Sequence, residues 1–137
     1  MDKDTFLILY KCMVRSQLEY ANSVWNPHNI VLIEDLEKVQ RRATKIIPAC
    51  RKMTYEERLK YLKLPTLAYR RHRGDMIEVY KIMHGIYDKE TSIKLERSEG
   101  GILTRGHSMK LKVHGSIHEA SKWFFSVRVV NVWNSLT

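Results

Sequence analysis

The segment that decides the fold is residues 30–47, IVLIEDLEKVQRRATKII. Its apolar residues recur every three or four positions, which is the period of an amphipathic α-helix. We expect this helix to end before Pro48, since a proline cannot continue the hydrogen-bond ladder. The predicted apolar stripe comprises Leu32, Leu36, Val39, Ala43 and Ile46.

The opposite side of the same helix carries a group of cations, namely Lys38, Arg41, Arg42 and Lys45. Their i, i+3, i+4, i+7 spacing places them within about 100° of arc. Like charges four residues apart repel each other by a few tenths of a kcal/mol. The sequence has no acidic residue between Glu37 and Glu56 to relieve this repulsion. The pattern indicates either a solvated helix face or a face that binds a polyanion.

The positive charge of the chain is concentrated around this helix. The 137 residues include 24 Lys+Arg and 15 Asp+Glu, for a formal net charge of +9. Residues 38–73 alone contain 12 Lys and Arg against 2 Glu, so the rest of the chain is close to neutral. A concentrated basic block predicts a polyanionic partner, and nucleic acid fits best, although basic helices also bind anionic membranes.

Further cations extend the candidate site beyond the helix. Arginine forks match phosphate oxygens, and an exposed tyrosine can stack on a base. Arg73 lies at the edge of the apolar stripe of its own helix. It is expected either to be partly buried and paired with Asp75, Glu78 or an acid elsewhere, or to reach into a nucleic-acid groove. The candidate nucleic-acid-binding residues are Lys38, Arg41, Arg42, Lys45, Arg51, Lys52, Arg70, Arg71 and Arg73, with Tyr69 as the stacking residue.

The remaining patterns predict a mainly α fold of four to five helices, with one short strand or hairpin before an apolar C-terminal helix. Further helices are predicted over 4–25, capped by Asp2 or Asp4, over 55–61, with a Thr54/Glu57 capping box, and from about 66 to 84, closed by Gly85. The face of the first comprises Phe6, Tyr10, Met13, Gln17, Ala21 and Val24.

The C-terminal part is predicted from different patterns. Alternation over 108–113 predicts a half-buried strand. Residues 117–136 are apolar on every side, and their length favours a helix, although their β-branched and aromatic content also permits a strand. We therefore expect a helical domain with the basic face over 1–85, a linker over 86–103 and a C-terminal segment over 104–137.

The sequence contains no catalytic, phosphate-loop or cofactor motif. His107, His114 and His118 have a spacing that matches no usual metal site, and Cys12 and Cys50 lack an activating base. We expect no catalytic residue, no metal and no cofactor. Neither a secretory signal nor an apolar run of membrane-spanning length is found, which predicts an intracellular protein, with the nucleus as a candidate compartment.

A series of short stretches covers nearly the whole chain in order: LYKCMVR (9–15), LEYA (18–21), VWNP (24–27), LEKVQRRATK (36–45), YEERL (55–59), LPTL (64–67), RRxRGDMI (70–77), TRGH (104–107), FF (124–125) and RVVNxWNSL (128–136). Together these stretches resemble the region after the polymerase core in non-LTR retrotransposon reverse transcriptases of the jockey type. The resemblance implies a helical, thumb-like region that holds a template–primer duplex or binds RNA.

The same resemblance limits what can be carried over. The family's metal-binding aspartates lie in a Tyr/Phe-x-Asp-Asp motif, and this sequence has no Asp-Asp pair. No catalytic residue is therefore transferred, and the chain is not expected to be an enzyme, although its parent family is an RNA-directed DNA polymerase. Ser16 replaces a common proline, so the first helix is expected to run unbroken. The chain stops where relatives continue, which suggests a fragment of a mobile-element protein.

These observations lead to one main hypothesis and two alternatives. The main one is sequence-independent binding of RNA, DNA or a hybrid through the basic helical face. The first alternative is a helical interaction module that binds a protein partner, or itself, through Trp123–Trp133. The second is a translated mobile-element remnant with no selected function.

Overall fold

The computed structural model describes residues 1–99 and 106–136. The mainly α class is confirmed for this part of the chain. A π-helix, Tyr10–Arg15, joins the first two helices, and short 3₁₀ helices lie at Pro48–Cys50 and Glu119–Trp123. In the described ranges no helix is both long and apolar enough to cross a membrane. The α-helices are α1 Lys3–Leu9, α2 Ser16–Glu19, α3 Asn22–Trp25, α4 Ile30–Thr44, α5 Tyr55–Leu62, α6 Leu67–Met83 and α7 Phe125–Ser135.

The chain divides into two compact units, residues 1–72 and 73–137. The division falls earlier than the predicted boundary at residue 85. The physical reason is that Val79 of α6 is fully buried in the second core, and Leu95 of the predicted linker packs against the same core. The first core comprises Phe6, Tyr10, Ile47, Cys50, Leu62 and Leu64. The second comprises Val79, Leu111, Phe125, Val129, Val130 and Trp133.

The predicted single helix over 4–25 is wrong. Asp2 caps α1 by accepting the Thr5 N–H at 3.3 Å, and the helical path continues past Ser16. It then breaks at Ala21, which adopts a left-handed φ of +52°. The wider π turn also shifts the buried face, so Met13 is 67% exposed and its neighbour Val14 packs on the core instead.

The apolar stripe predicted for α4 is wrong at three of its five positions, although Ala43 does pack against the first core. Leu32, Val39 and Ile46 are exposed, while the buried positions include three polar residues, Glu37, Gln40 and Thr44. Hydrophobic periodicity cannot detect this face, because its side chains are buried by hydrogen bonding to other segments. The helix ends at Thr44, three residues before the predicted Ile47.

The helix starts and stops around α5 and α6 are confirmed. Thr54 and Glu57 form the reciprocal capping box at the start of α5. The Thr54 backbone N–H and hydroxyl lower the pKa of the Glu57 carboxyl. Gly85 follows α6 with φ of +65°, a left-handed conformation that suits glycine.

The strand predicted over 108–113 reduces, in the described residues, to one antiparallel bridge between Arg97 and Leu111. The Asn134 side chain takes the place of a second partner strand, because it accepts the Leu111 N–H and donates to the Leu111 carbonyl, both at 2.8 Å. This bridge makes Arg97 of the predicted linker part of the second unit. Residues 100–103 of the predicted linker lie outside the described residues.

The predicted C-terminal helix is present but shorter, as α7. One side of α7 is buried, and it carries Phe125, Val129, Val130 and Trp133. The apolar Val132, on another side of the helix, is exposed. The buried face belongs to the core of the second unit.

Candidate nucleic-acid interface

Four of the predicted cations are exposed and lie close together in sequence, at the end of α4 and in the loop after it. They are Arg42, Lys45, Arg51 and Lys52. Across residues 1–99 and 106–136 none of the four side chains forms a hydrogen bond or an ion pair. Arg42 and Lys45 also lie at the helix C-terminus, where the helix dipole favours positive charge. These four residues, named the basic cluster, are charges of the first unit that are open to a phosphate.

The loop that displays this cluster, residues 45–53, is anchored in the core of the first unit. Ile47 and Cys50 are both buried there. The Cys50 N–H donates to the Ile47 carbonyl at 3.0 Å, and the Arg51 N–H donates to Pro48 at 3.3 Å. The buried thiol of Cys50 is thus a core side chain, and the cations project from a fixed turn.

A buried arginine that sequence reasoning missed joins the two ends of this loop. Arg58 of α5 is only 4% exposed. Its Nε donates to the Thr44 hydroxyl at 3.0 Å, and its Nη1 donates to the Met53 carbonyl at 2.7 Å. In the sequence, the burial of Arg58 is indicated by its position four residues before Leu62, which places the two residues on the same face of α5. Arg58 therefore positions the basic cluster without belonging to it.

The other two cations on α4 have acidic partners on their own helix. Lys38 pairs with Asp35 at 2.8 Å, and Arg41 pairs with Glu34 at 3.3 Å. The Arg41 guanidinium also lies over the Tyr55 ring, 5.0 Å from its centroid. The expectation that nothing relieves the repulsion on this face is wrong for these two residues, because acids one and two turns earlier neutralise them.

The two arginines predicted at the start of α6 are not equally available. Arg70 makes a two-pronged ion pair with Glu19, with one Nη2–Oε2 distance of 2.9 Å, and this hydrogen bonding raises the pKa of Arg70. Arg71 is only 3% exposed, and burial lowers its pKa. Arg71 is therefore too buried to take part in a surface interface, and Arg70 is already paired with Glu19.

Arg73 and Tyr69 are both exposed on α6, and Arg73 belongs to the second unit. The predicted pairing of a buried Arg73 with Asp75 or Glu78 is wrong. Asp75 instead pairs with Arg128, at 3.1 and 3.2 Å, because the helix turns Asp75 toward the core and Arg73 away from it.

Two of the three histidines of the C-terminal part have side-chain partners. His107 Nδ1 accepts the Met109 N–H at 3.2 Å, and its Nε2 lies 3.0 Å from the Trp133 carbonyl. His114 lies 3.3 Å from Glu96. In the described part of the chain no group of three His, Cys, Asp or Glu side chains is arranged to hold a metal ion.

Comparison with models of protein families, with curated proteins and with solved structures gives no match to this chain. The resemblance to reverse transcriptases therefore stays an expectation from the sequence.

Proposed function

We propose that this chain is a sequence-independent nucleic-acid-binding module, derived from the thumb-like C-terminal region of a retrotransposon reverse transcriptase and without polymerase activity of its own. The observation that supports it is the basic cluster: four exposed cations within eleven residues, without acidic partners in the described chain, at the end of α4 and on the anchored loop that follows it. Its ligand is the phosphate backbone of RNA, DNA or a hybrid inside the cell, including the nucleus.

The basic cluster gives the proposal a quantitative form. Each phosphate that is neutralised on a duplex lowers the slope of log affinity against log salt by about 0.9. Four contacts give a slope of about −3.6, so affinity falls roughly a hundredfold between 50 and 200 mM salt. Lys38 and Arg41 add to the slope only if a phosphate displaces their carboxylate partners.

The test measures the fluorescence anisotropy of a labelled 20-base-pair RNA–DNA hybrid over a salt series. In the loop variant Arg42, Lys45, Arg51 and Lys52 are all changed to Gln. A matched control changes four exposed lysines of the second unit to Gln, namely Lys89, Lys94, Lys112 and Lys122, and alters the net charge equally.

We expect the loop variant to bind weakly with a nearly flat salt response, while the control keeps most of the wild-type slope. Equal losses in both variants would mean that total charge, and not the basic cluster, attracts the ligand. A flat salt response of the wild-type chain would contradict the proposal outright.

A second candidate function, protein interaction, is favoured by exposed apolar residues in the segment 20–31 of the first unit. Val24 is 78% exposed, and Tyr20, Ile30 and Val31 are also largely exposed. Exposed apolar groups in one region are typical of interaction sites. Sedimentation equilibrium of wild type and of Val24→Asp/Ile30→Asp tests self-association. A monomeric wild type would contradict it.

Deletion of the C-terminal segment cannot test the interaction expected through Trp123–Trp133. Phe125, Val129 and Trp133 belong to the core of the second unit, so removing α7 would unfold that unit. The third reading, a remnant with no selected function, predicts non-cooperative unfolding of the whole chain in a urea titration.

A further inference from the structure

The outward face of α6 in the second unit, together with His84 in the turn that follows the helix, carries a row of exposed side chains. Arg73, Ile77, Tyr80 and His84 are all exposed, and at 100° per residue they lie within about 60° of arc. Val79, on the opposite side of the helix, is fully buried. We name these four residues the stacking face.

Two aromatic rings on this face are stacked and fixed in place. The ring centroids of Tyr80 and His84 lie 3.9 Å apart, with an interplanar angle of 25°. His84 Nδ1 donates to the Tyr80 carbonyl at 2.9 Å, which sets the orientation of the imidazole. Tyr80 nevertheless remains 50% exposed. The pair is therefore a stacked aromatic surface that is half open to solvent.

The core does not need these rings. Neither Tyr80 nor His84 belongs to the cluster around Val79 and Trp133, and an aromatic pair at i, i+4 adds only a few tenths of a kcal/mol to a helix. Arg73 forms no ion pair with any described residue, and it stands about 10 Å along the helix axis from Tyr80. A cation at this distance complements a phosphate that neighbours a base stacked on the pair.

We propose that the stacking face binds an unpaired base of a single-stranded nucleic acid, with Tyr80 and His84 as the stacking surface and Arg73 at the adjoining phosphate. This inference rests on the proposed function for its ligand class, but it adds a second site with different chemistry. Stacking tolerates any base and depends little on salt, whereas the basic cluster depends on salt and is indifferent to bases.

The experiment compares two labelled 15-nucleotide strands, oligo-dT and an all-abasic strand with the same phosphates, by anisotropy against the full chain. The variants are Tyr80→Leu, which removes the π surface, and Tyr80→Phe, which keeps it. Phe124→Leu is the matched control, because it removes an exposed aromatic ring of the same unit that is off this face. Circular dichroism checks that each variant folds.

Wild type, Tyr80→Phe and Phe124→Leu are expected to bind oligo-dT about fivefold to a hundredfold more tightly than the abasic strand. Tyr80→Leu should lose this preference and keep the wild-type salt slope. Equal affinity of the wild type for both strands, or a preference that survives in Tyr80→Leu, would overturn the stacking site while leaving the basic cluster standing. Absence of binding to either strand and to the duplex would overturn both proposals.

Discussion

The carboxylate of Glu37 on α4 accepts the backbone N–H of Leu67, the first residue of α6, at 3.0 Å. The same buried side chain lies 3.4 Å from the Ala68 N–H and accepts the Tyr55 hydroxyl. The first N–H groups of a helix have no partner inside it, and the helix dipole favours a negative charge there. Glu37 therefore caps α6 from another helix and ties α4, α5 and the first residues of α6 together within the first unit.

Glu37→Ala is expected to lower the free energy of unfolding by about 3 kcal/mol, since the Leu67 N–H and the Tyr55 hydroxyl would stay buried without an acceptor. Urea denaturation measures the change. Glu34→Ala, on the half-exposed side of the same helix, serves as the control and should stay within about 0.5 kcal/mol of wild type. Similar losses in both variants would show that Glu37 is not a cap.

Arg58→Met is expected to loosen the loop that carries the basic cluster. Two hydrogen bonds from one buried guanidinium hold residues 44 and 53, and the loss of such bonds costs about 2–3 kcal/mol. Hydrogen exchange should accelerate at the amides of residues 45–53 more than elsewhere in the first unit. Lys60→Met, exposed on the same helix, should leave those amides protected. Uniform acceleration throughout the unit would contradict the positioning role.

Alkaline pH is expected to destabilise the first unit. Burial raises the pKa of the Tyr10 and Tyr55 hydroxyls, and the hydrogen bond to Glu37 raises that of Tyr55 further. A tyrosine hydroxyl in the unfolded chain has a pKa of about 10. Below that pH both hydroxyls are protonated in the folded and the unfolded protein, and their stabilising effect is fully present. Above it the unfolded state loses protons first, so stability falls by up to about 1.4 kcal/mol per pH unit for each tyrosine.

Urea denaturation between pH 8 and 11 tests this pH dependence. Tyr10→Phe loses its hydrogen bond to Gln40, 2.6 Å long, and should be less stable than wild type at pH 8. It should also show a shallower decline above pH 10, because one titrating hydroxyl is gone. Parallel curves for the two proteins would contradict the assignment to Tyr10.

In the second unit, Asp75→Asn is expected to lower the free energy of unfolding by about 3–5 kcal/mol, because Arg128 keeps a largely buried charge without its counter-charge. Asp75→Leu/Arg128→Met should recover most of this loss, since an apolar pair of similar volume avoids the desolvation of both charges. Trp fluorescence during denaturation reports the change. A double variant less stable than Asp75→Asn would contradict this account.

Local signals in the sequence predicted the elements that depend on local chemistry. The Thr54/Glu57 capping box and Gly85 determine helix ends through residues that are close to them in sequence. The start of α5 and the end of α6 were therefore predictable. The π-helix and the break at Ala21 were not, because the spacing of apolar residues is compatible with a straight helix. The buried face of α4 was missed for a related reason: Gln40 is buried because Tyr10 and Pro65, 30 and 25 residues away, bond to it.

The candidate site, too, was predictable only in part from the sequence. The charge count located the basic block, and exposure then separated its members: Arg42, Lys45, Arg51 and Lys52 stay free of partners in the described chain, while Arg71 is buried. Sequence spacing could not make this separation, since whether a cation faces water or Glu19 depends on how helices pack. Tyr80 and His84 are four residues apart, a spacing that places two side chains on one helix face and is visible in the sequence alone.

By itself, the sequence determined the helical class, the helix caps and the concentration of positive charge, because these follow from backbone geometry and from composition over a few turns. The tertiary structure alone decided that Glu37 caps α6, that Arg58 holds the basic loop, and that Arg71 is withdrawn from the surface. These are contacts between segments far apart in the chain, and their energies depend on desolvation and partner geometry, which no local pattern contains.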